Sequence, residues 1–347
     1  MSEQFTKEYL AELQGYPLSI KLALTRQRIR EWIHRYGTDG VYVSFSGGKD
    51  STALLHIVRE MYPDVKAVFV DTGLEYPEIR QFVRAFENVD WIKPKKNFRQ
   101  VIDDYGYPFP SKEVAQTVYE AKKRILRGEV AAGYRLKQLN GESIDKKTGK
   151  KSTYNIPQWK FLLDSPFMVS HLCCNNMKKS PAKGYEKKTG RKPITAQMAS
   201  ESRLRTQKWL QDGCNAFNAK RKISNPMSFW TEQDVLLYIY QNNIPIAPVY
   251  GNVVKETEVE GQLDFEDLGI FDLGRPTLKT TGCKRTGCMF CGFGCHMEAE
   301  GEGRFERLKV THPKIYDYIM RPWDEGGLNY KEVIDWLNEH GNMNIKY

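Results

Sequence analysis

A strand that runs straight into a double glycine and leaves it as a helix restricts a chain to few folds. Residues 41–46, Val-Tyr-Val-Ser-Phe-Ser, carry the apolar run of a buried strand and are followed at once by Gly47 and Gly48. From about Asp50 the pattern turns helical, with Leu54, Leu55, Ile57 and Val58 on one face. A second apolar strand over 65–70 ends in Asp71-Thr72-Gly73. Strand, glycine turn, helix and strand make a βαβ unit, which demands a parallel sheet with helices on both faces. The fold class expected is therefore α/β.

The turn itself has chemistry. Glycines let main chain approach a ligand that a side chain would hold off. Successive backbone N–H groups ahead of a helix N-terminus form an anion-binding concavity. In Ser46-Gly47-Gly48-Lys49-Asp50-Ser51 the two serines add hydroxyl donors and Lys49 a positive charge. A Walker A loop needs Gly-x4-Gly-Lys-Ser/Thr, a spacing this segment lacks. A net charge of +9 agrees with an anionic partner, phosphate or nucleic acid.

Elsewhere the pattern is plainer. Residues 19–36 read as an amphipathic helix, with Ser19 as N-cap and Gly37 as stop. Residues 194–198 suggest a further strand. Thr231 and Asp234 form a capping box for a helix over 231–240. Helices are also expected at 313–320 and 330–338. Residues 121–160 are crowded with lysine and arginine, either as a solvated helix and hairpin or as a basic arm for a polyanionic substrate. An acidic stretch lies around 256–267. The polar N-terminal residues carry no signal-peptide pattern, and no apolar run reaches membrane-spanning length, so a cytoplasmic protein without membrane contact is expected. At 347 residues the chain should form a nucleotide-binding domain over 1–245, with a basic insertion near 121–160, and a cysteine-rich C-terminal region over 246–347.

Seven cysteines are spread unevenly: Cys173 and Cys174 adjacent, Cys214 alone, then Cys283, Cys288, Cys291 and Cys295 within thirteen residues. In a reducing compartment such clusters read as metal ligands or sulfur chemistry rather than disulfides. Structural zinc usually spaces its two ligand pairs further apart. A dense, glycine-rich quartet is closer to the runs that hold iron–sulfur clusters. A 4Fe–4S cluster on Cys283, Cys288, Cys291 and Cys295 leads, because its ligands need no long-range assembly; zinc and unmetallated reactive thiols remain open. His296 adjoins the quartet, and Cys214 reads as structural.

The hexapeptide resembles the PP-loop of the ATP pyrophosphatase and phosphoadenosine phosphosulfate reductase superfamily. Asp71-Thr72-Gly73 with Pro77 and Glu78, Glu201-Ser202-Arg203 with Arg205, and Asn225-Pro226-Met227 followed by Trp230-Thr231-Glu232 and Asp234 are similar to further segments of that family. The resemblance implies ATP or an adenylyl sulfate, with magnesium, held by Ser46, Gly47, Gly48, Lys49, Asp50 and Ser51. It puts Asp71 and Thr72 near ribose and base and makes Arg203 and Arg205 candidates for the anionic end. Lys49, Asp50, Cys173 and Cys174 are then the candidate catalytic residues. Cys173-Cys174 resembles the paired cysteines of adenylylsulfate reductases, whose cluster ligands would here be Cys173, Cys174, Cys288 and Cys291. A closer overall resemblance is to the sulfur-transfer PP-loop subunit of DNA phosphorothioation systems. That implies an enzyme that adenylates an acceptor, nucleic acid among the candidates, releases pyrophosphate and takes sulfur from a cysteine desulfurase or another donor. The alternatives are a sulfonucleotide reductase, although no cysteine follows Cys295 to match that family's tail nucleophile, and a nucleotide- or redox-sensing regulator without turnover.

Overall fold

Four short strands make the parallel sheet, and their order explains where a ligand can sit. In the computed structural model, which describes residues 5–129, 133–256 and 277–347, these are β1 (Val41–Ser44), β2 (Ala67–Val70), β3 (Val89–Ile92) and β4 (Lys192–Ile194). The sheet order is β3-β2-β1-β4, with every pair parallel. β1 pairs with β2 through Val43↔Ala67 and with β4 through Val41↔Lys192. The chain thus winds one way from β1 through β2 to β3, and the strand on the other side of β1 arrives much later. That reversal is a topological switch point, and the carboxyl end of β1 is where such sheets leave a crevice. The glycine turn leaves β1 at that end.

The chain divides into two compact units. One comprises 1–71, 75–93 and 182–286, and it holds the parallel sheet. The helix Lys49–Met61 connects β1 to β2, and the helix Pro77–Arg84 connects β2 to β3. A long helix, Leu18–Tyr36, buries Ile29, Trp32 and Ile33. Pro17 precedes it and Ser19 lies inside its first turn, so Ser19 caps nothing; Gly37 does end it, at φ +75°. The capping box of Thr231 and Asp234 starts the helix Glu232–Gln241 as expected. Asp234 also accepts a 2.5 Å bond from Lys21, and both side chains are almost fully buried. The expected strand at 194–198 is shorter and earlier, because Thr195 donates its N–H to Ser224 outside the sheet ladder. A two-stranded antiparallel ribbon, β5 (Val253–Lys255) with β6 (Leu278–Thr280), belongs to the same unit. Most of the acidic stretch around 256–267 lies outside the described residues.

The other unit comprises 72–74, 94–181 and 287–347. It is helical, with helices Phe98–Tyr105, Lys112–Leu126, Tyr134–Leu139, Arg304–Thr311, Pro313–Met320 and Tyr330–Gly341. Its core gathers Phe109, Val118, Leu162, Val169, Phe305, Ile319, Ile334 and Leu337. Tyr330 is wholly buried there and donates its hydroxyl to the Phe290 carbonyl at 2.6 Å. The basic region 121–160 contains the end of one helix, a second short helix and a tight turn closed by an Ile144–Lys151 bridge. Among the described residues no helix is long and apolar enough to cross a membrane.

Candidate nucleotide site and thiol cluster

The loop after β1 is wired by its own hydroxyls. Ser46 donates its N–H to Ser51 Oγ at 3.1 Å, the two hydroxyls lie 3.0 Å apart, and Ser51 Oγ donates to the Gly48 carbonyl at 2.9 Å. Gly47 has φ +71°, and a Cβ on it would come within 2.8 Å of Val83 and 2.9 Å of Ile79. Glycine is therefore required there twice over, by backbone conformation and by the helix packed beneath. Asp50 and Ser51 fall in the first turn of the helix Lys49–Met61, whose free N–H groups face an incoming anion.

Lys49 is committed to more than a phosphate. Its ammonium is buried, ion-paired with Glu232 and donating to the Lys284 carbonyl at 2.6 Å. Its backbone N–H reaches the hydroxyl of Tyr250 at 3.4 Å, and that hydroxyl bonds Thr286 Oγ1. Burial pushes the Tyr250 phenol up to about 12, so it is a neutral hydrogen-bonding group at any physiological pH. Glu232 is held at the start of its helix by the Thr231–Asp234 capping box.

Asp50 is the electrostatic centre of the site. Burial pushes its carboxyl up, nearby Glu232 adds to this, and Lys49, Arg285 and Arg205 oppose it. Its Oδ1 is buried without a hydrogen-bond partner among the described residues. Arg205, ion-paired with Glu201, is held below the usual guanidinium range by burial and by the neighbouring Arg285. Two guanidinium groups, Arg205 half-buried and Arg285 exposed, thus act on one another beside the loop, an arrangement that an anion relieves. Arg203 is exposed at the first turn of the helix Arg203–Asp212 and does not figure among the charges acting on Asp50. Asp71, at the carboxyl end of β2, is buried and pairs with Arg80 at 3.0 Å, leaving Oδ1 unpartnered among the described residues. Thr72 is buried and accepts the N–H of Leu74 at 3.1 Å.

Glu232, Tyr250, Arg285 and Thr286 were not singled out as site residues by the sequence reading. Glu232 had a signal in the capping box it adjoins, and Arg285 in its place beside the cysteine quartet. Tyr250 and Thr286 had none.

The expected cysteine quartet is divided between the units. Cys283 lies in the sheet unit, its N–H bonded to the Val249 carbonyl and its carbonyl accepting the Thr280 hydroxyl. Cys288, Cys291 and Cys295 lie in the helical unit, together with Cys173 and Cys174. The pair ends in a π-helical turn, Asn175–Lys179, a distortion that recurs at functional sites. Burial pushes the Cys173 thiol up, and Cys174, Cys288 and Cys291 push it further. Burial likewise raises Cys291, with Arg304 opposing and Cys174 adding. Cys295 is pushed up to about 12, donates to the Gly292 carbonyl and feels Arg304 as well. His296 packs edge-on against Trp159 at 5.5 Å. Cys214 is buried against Ser228 at 3.2 Å, as a structural thiol should be.

A single zinc ion needs ligands converging to about 2.3 Å. Among the described residues no three histidine, cysteine or acidic side chains converge in that way. A polynuclear iron–sulfur centre spreads its ligands around a larger core. Two cysteine pairs that act on one another electrostatically, with a cation at hand, supply the donor chemistry for that looser arrangement.

Comparison with known proteins places this geometry in a family. The phosphoadenosine phosphosulfate reductase domain profile matches residues 40–123 and 91–292. An uncharacterized protein of Methanocaldococcus jannaschii is 34% identical over 73 residues, 20% of this chain and 18% of the relative. A probable FAD synthase of Caenorhabditis briggsae is 33% identical over 86 residues, 23% of this chain and 16% of the relative. The chain therefore spans less than a fifth of these curated relatives. A crystal structure of phosphoadenylyl-sulfate reductase from Candida auris, in a phosphate complex, aligns with TM-score 0.36 and 14% identity over 79% of this chain and 97% of that one. With the domain profile covering well over half its length and the PP-loop at its sheet's switch point, the chain belongs to the phosphoadenosine phosphosulfate reductase family.

Proposed function

We propose that the chain is an ATP pyrophosphatase that adenylates an oxygen of its acceptor and supports replacement of that oxygen by sulfur. The observation that carries this reading is the charge arrangement around Asp50, where a half-buried Arg205 and an exposed Arg285 both act on a buried carboxyl in an anion-binding loop. A triphosphate satisfies both guanidinium groups and the loop amides together. Magnesium typically takes one or two carboxylates plus substrate phosphates, and Asp50 with its unpartnered oxygen, together with Glu232, fits that need. Lys49 then acts mainly through Glu232 and the loop, holding the helix N-terminus in place.

The acceptor oxygen attacks the α-phosphorus, the bond from that phosphorus to the bridging oxygen breaks, and pyrophosphate leaves with the electron pair. The former oxygen is now part of an AMP leaving group. A sulfur nucleophile, a persulfide supplied by a cysteine desulfurase or a comparable donor, displaces AMP and leaves the acceptor joined to the carrier through a disulfide. A second thiol then attacks the carrier sulfur, releasing the sulfur-bearing acceptor and ending as a disulfide that a dithiol reductant resets. Cys173, Cys174, Cys288 and Cys291 are the residues suited to hold a 4Fe–4S cluster, which when bound supplies redox capacity or sulfide. Nucleic acid is the acceptor class that the basic 121–160 region favours.

The test is pyrophosphate release by anaerobically purified protein with magnesium–ATP and total cellular nucleic acid. Release beyond one equivalent per protein, dependent on the acceptor, is expected. Salt-sensitive nucleic-acid binding without ATP cleavage would overturn the reading in favour of a non-catalytic regulator.

A further inference from the structure

Within the helical unit, a cavity of about 540 Å³ opens between the end of helix Lys112–Leu126 and the start of helix Tyr134–Leu139. Tyr119, Lys123 and Arg127 recur every fourth residue and so share one side of the first helix and its cap. Lys123 lies over the Tyr119 ring, 5.0 Å from its centroid. From the second helix come Tyr134, 54% exposed, and Arg135, whose guanidinium is 5.8 Å from the Tyr134 ring centre. Arg124 completes the cationic lining.

The acids nearby are already engaged. Arg135 bonds Glu120 at 2.7 Å and Arg124 bonds Glu129 at 3.1 Å. Among the described residues neither Lys123 nor Arg127 has a carboxylate partner. The cavity therefore combines two uncompensated cations with an exposed aromatic face. A cation alone would suit any anion, and an exposed tyrosine alone would mean little. Together they match a strand whose charge is regularly spaced and whose bases are free to stack. The exposed Ile125 and Leu126 at the rim raise the rival of an anionic membrane surface. A concave, tyrosine-lined cavity suits an inserted base better than a flat bilayer.

We propose that this cavity seats single-stranded nucleic acid, one base on Tyr134 and the flanking phosphates on Lys123 and Arg127. Tyr119, which lines the cavity, also packs against His171 at 6.1 Å, two residues before Cys173. Reading the bound strand as the sulfur acceptor rests on the proposed function; the binding itself does not.

The experiment is fluorescence anisotropy of the full chain with a labelled 12-nucleotide single strand, the matching duplex, and phosphatidylserine vesicles as competitor. Tyr134→Ala should weaken single-strand binding roughly tenfold or more, and Tyr134→Phe should restore it. Replacing Lys123 and Arg127 together with glutamine should flatten the log–log salt slope by about 1.4. The magnesium–ATP affinity of all these variants should equal that of the unsubstituted protein. Unchanged single-strand affinity in both the Tyr134→Ala and the double variant would overturn the inference. So would tighter binding of the duplex than of the single strand, or displacement of the strand by vesicles. Failure of ATP binding with strand binding intact would instead count against the proposed function alone.

Discussion

The two candidate sites differ in how the chain builds them. The nucleotide loop is one contiguous hexapeptide whose backbone, hydroxyls and helix cap are wired together by bonds spanning at most five residues. The thiols that act on Cys173 come from two cysteine pairs more than a hundred residues apart in the chain. A local motif survives as a local pattern and can be read from it. A site made by long-range packing leaves in the sequence only its residue types, and nearness in sequence is then a poor guide to which of them meet.

The sharpest way to break that comparison is metal content. Replacing both Cys288 and Cys291 with alanine should remove iron from anaerobically purified protein completely. Cys283→Ser should leave it unchanged, because Cys283 is not among the thiols acting on Cys173 or Cys291. Iron lost with Cys283 would support the contiguous quartet and erase the contrast between the two sites.

Next in size is the support beneath the loop. Asp234→Ala leaves Lys21 as a buried charge without its partner and should cost roughly 3–5 kcal/mol by urea unfolding. A much smaller loss would mean that neither the buried pair nor the capping box, both of which Asp234 serves, holds the helix that carries Glu232.

The arginine pair divides more finely. Arg205→Ala should weaken magnesium–ATP binding about tenfold, the scale of a lost charge-assisted hydrogen bond. Arg203→Ala should change it by less than about twofold, since that side chain is exposed and does not act on Asp50. Equal effects would remove the distinction drawn between them.

How much was legible follows the same division. The βαβ unit, the loop, the Thr231 capping box and the late helices were readable because periodicity, glycine and caps are local signals. Tyr250 and Thr286 were not, because the contact between Tyr250 and Lys49 spans about two hundred residues. The helix Arg304–Thr311 was missed because Gly303 at its N-cap offers no side-chain signal, whereas Pro313 marks the start of its equally short neighbour. Ser19 looked like a cap only because Pro17, which precedes that helix at its N-cap, carries no side-chain acceptor.

The smallest expected effect is on stability and depends on pH. Burial raises the Asp50 carboxyl above its unfolded value, so its contribution is fully present below the unfolded pKa and is lost as pH rises through the folded one. Asp50→Asn should therefore raise Tm at pH 7 in the nucleotide-free protein, and the gain should shrink as the pH falls into the carboxylate range. A gain independent of pH would point to packing rather than charge.

The central claim is that the charge arrangement around Asp50 is built for the triphosphate of ATP. Calorimetric titration of anaerobically purified protein with magnesium–ATP, adenylyl sulfate and phosphoadenosine phosphosulfate, side by side, tests it most directly. The account predicts that ATP binds tightest and that its binding weakens in Arg205→Ala. Tighter binding of either sulfonucleotide would contradict it and make the chain a reductase.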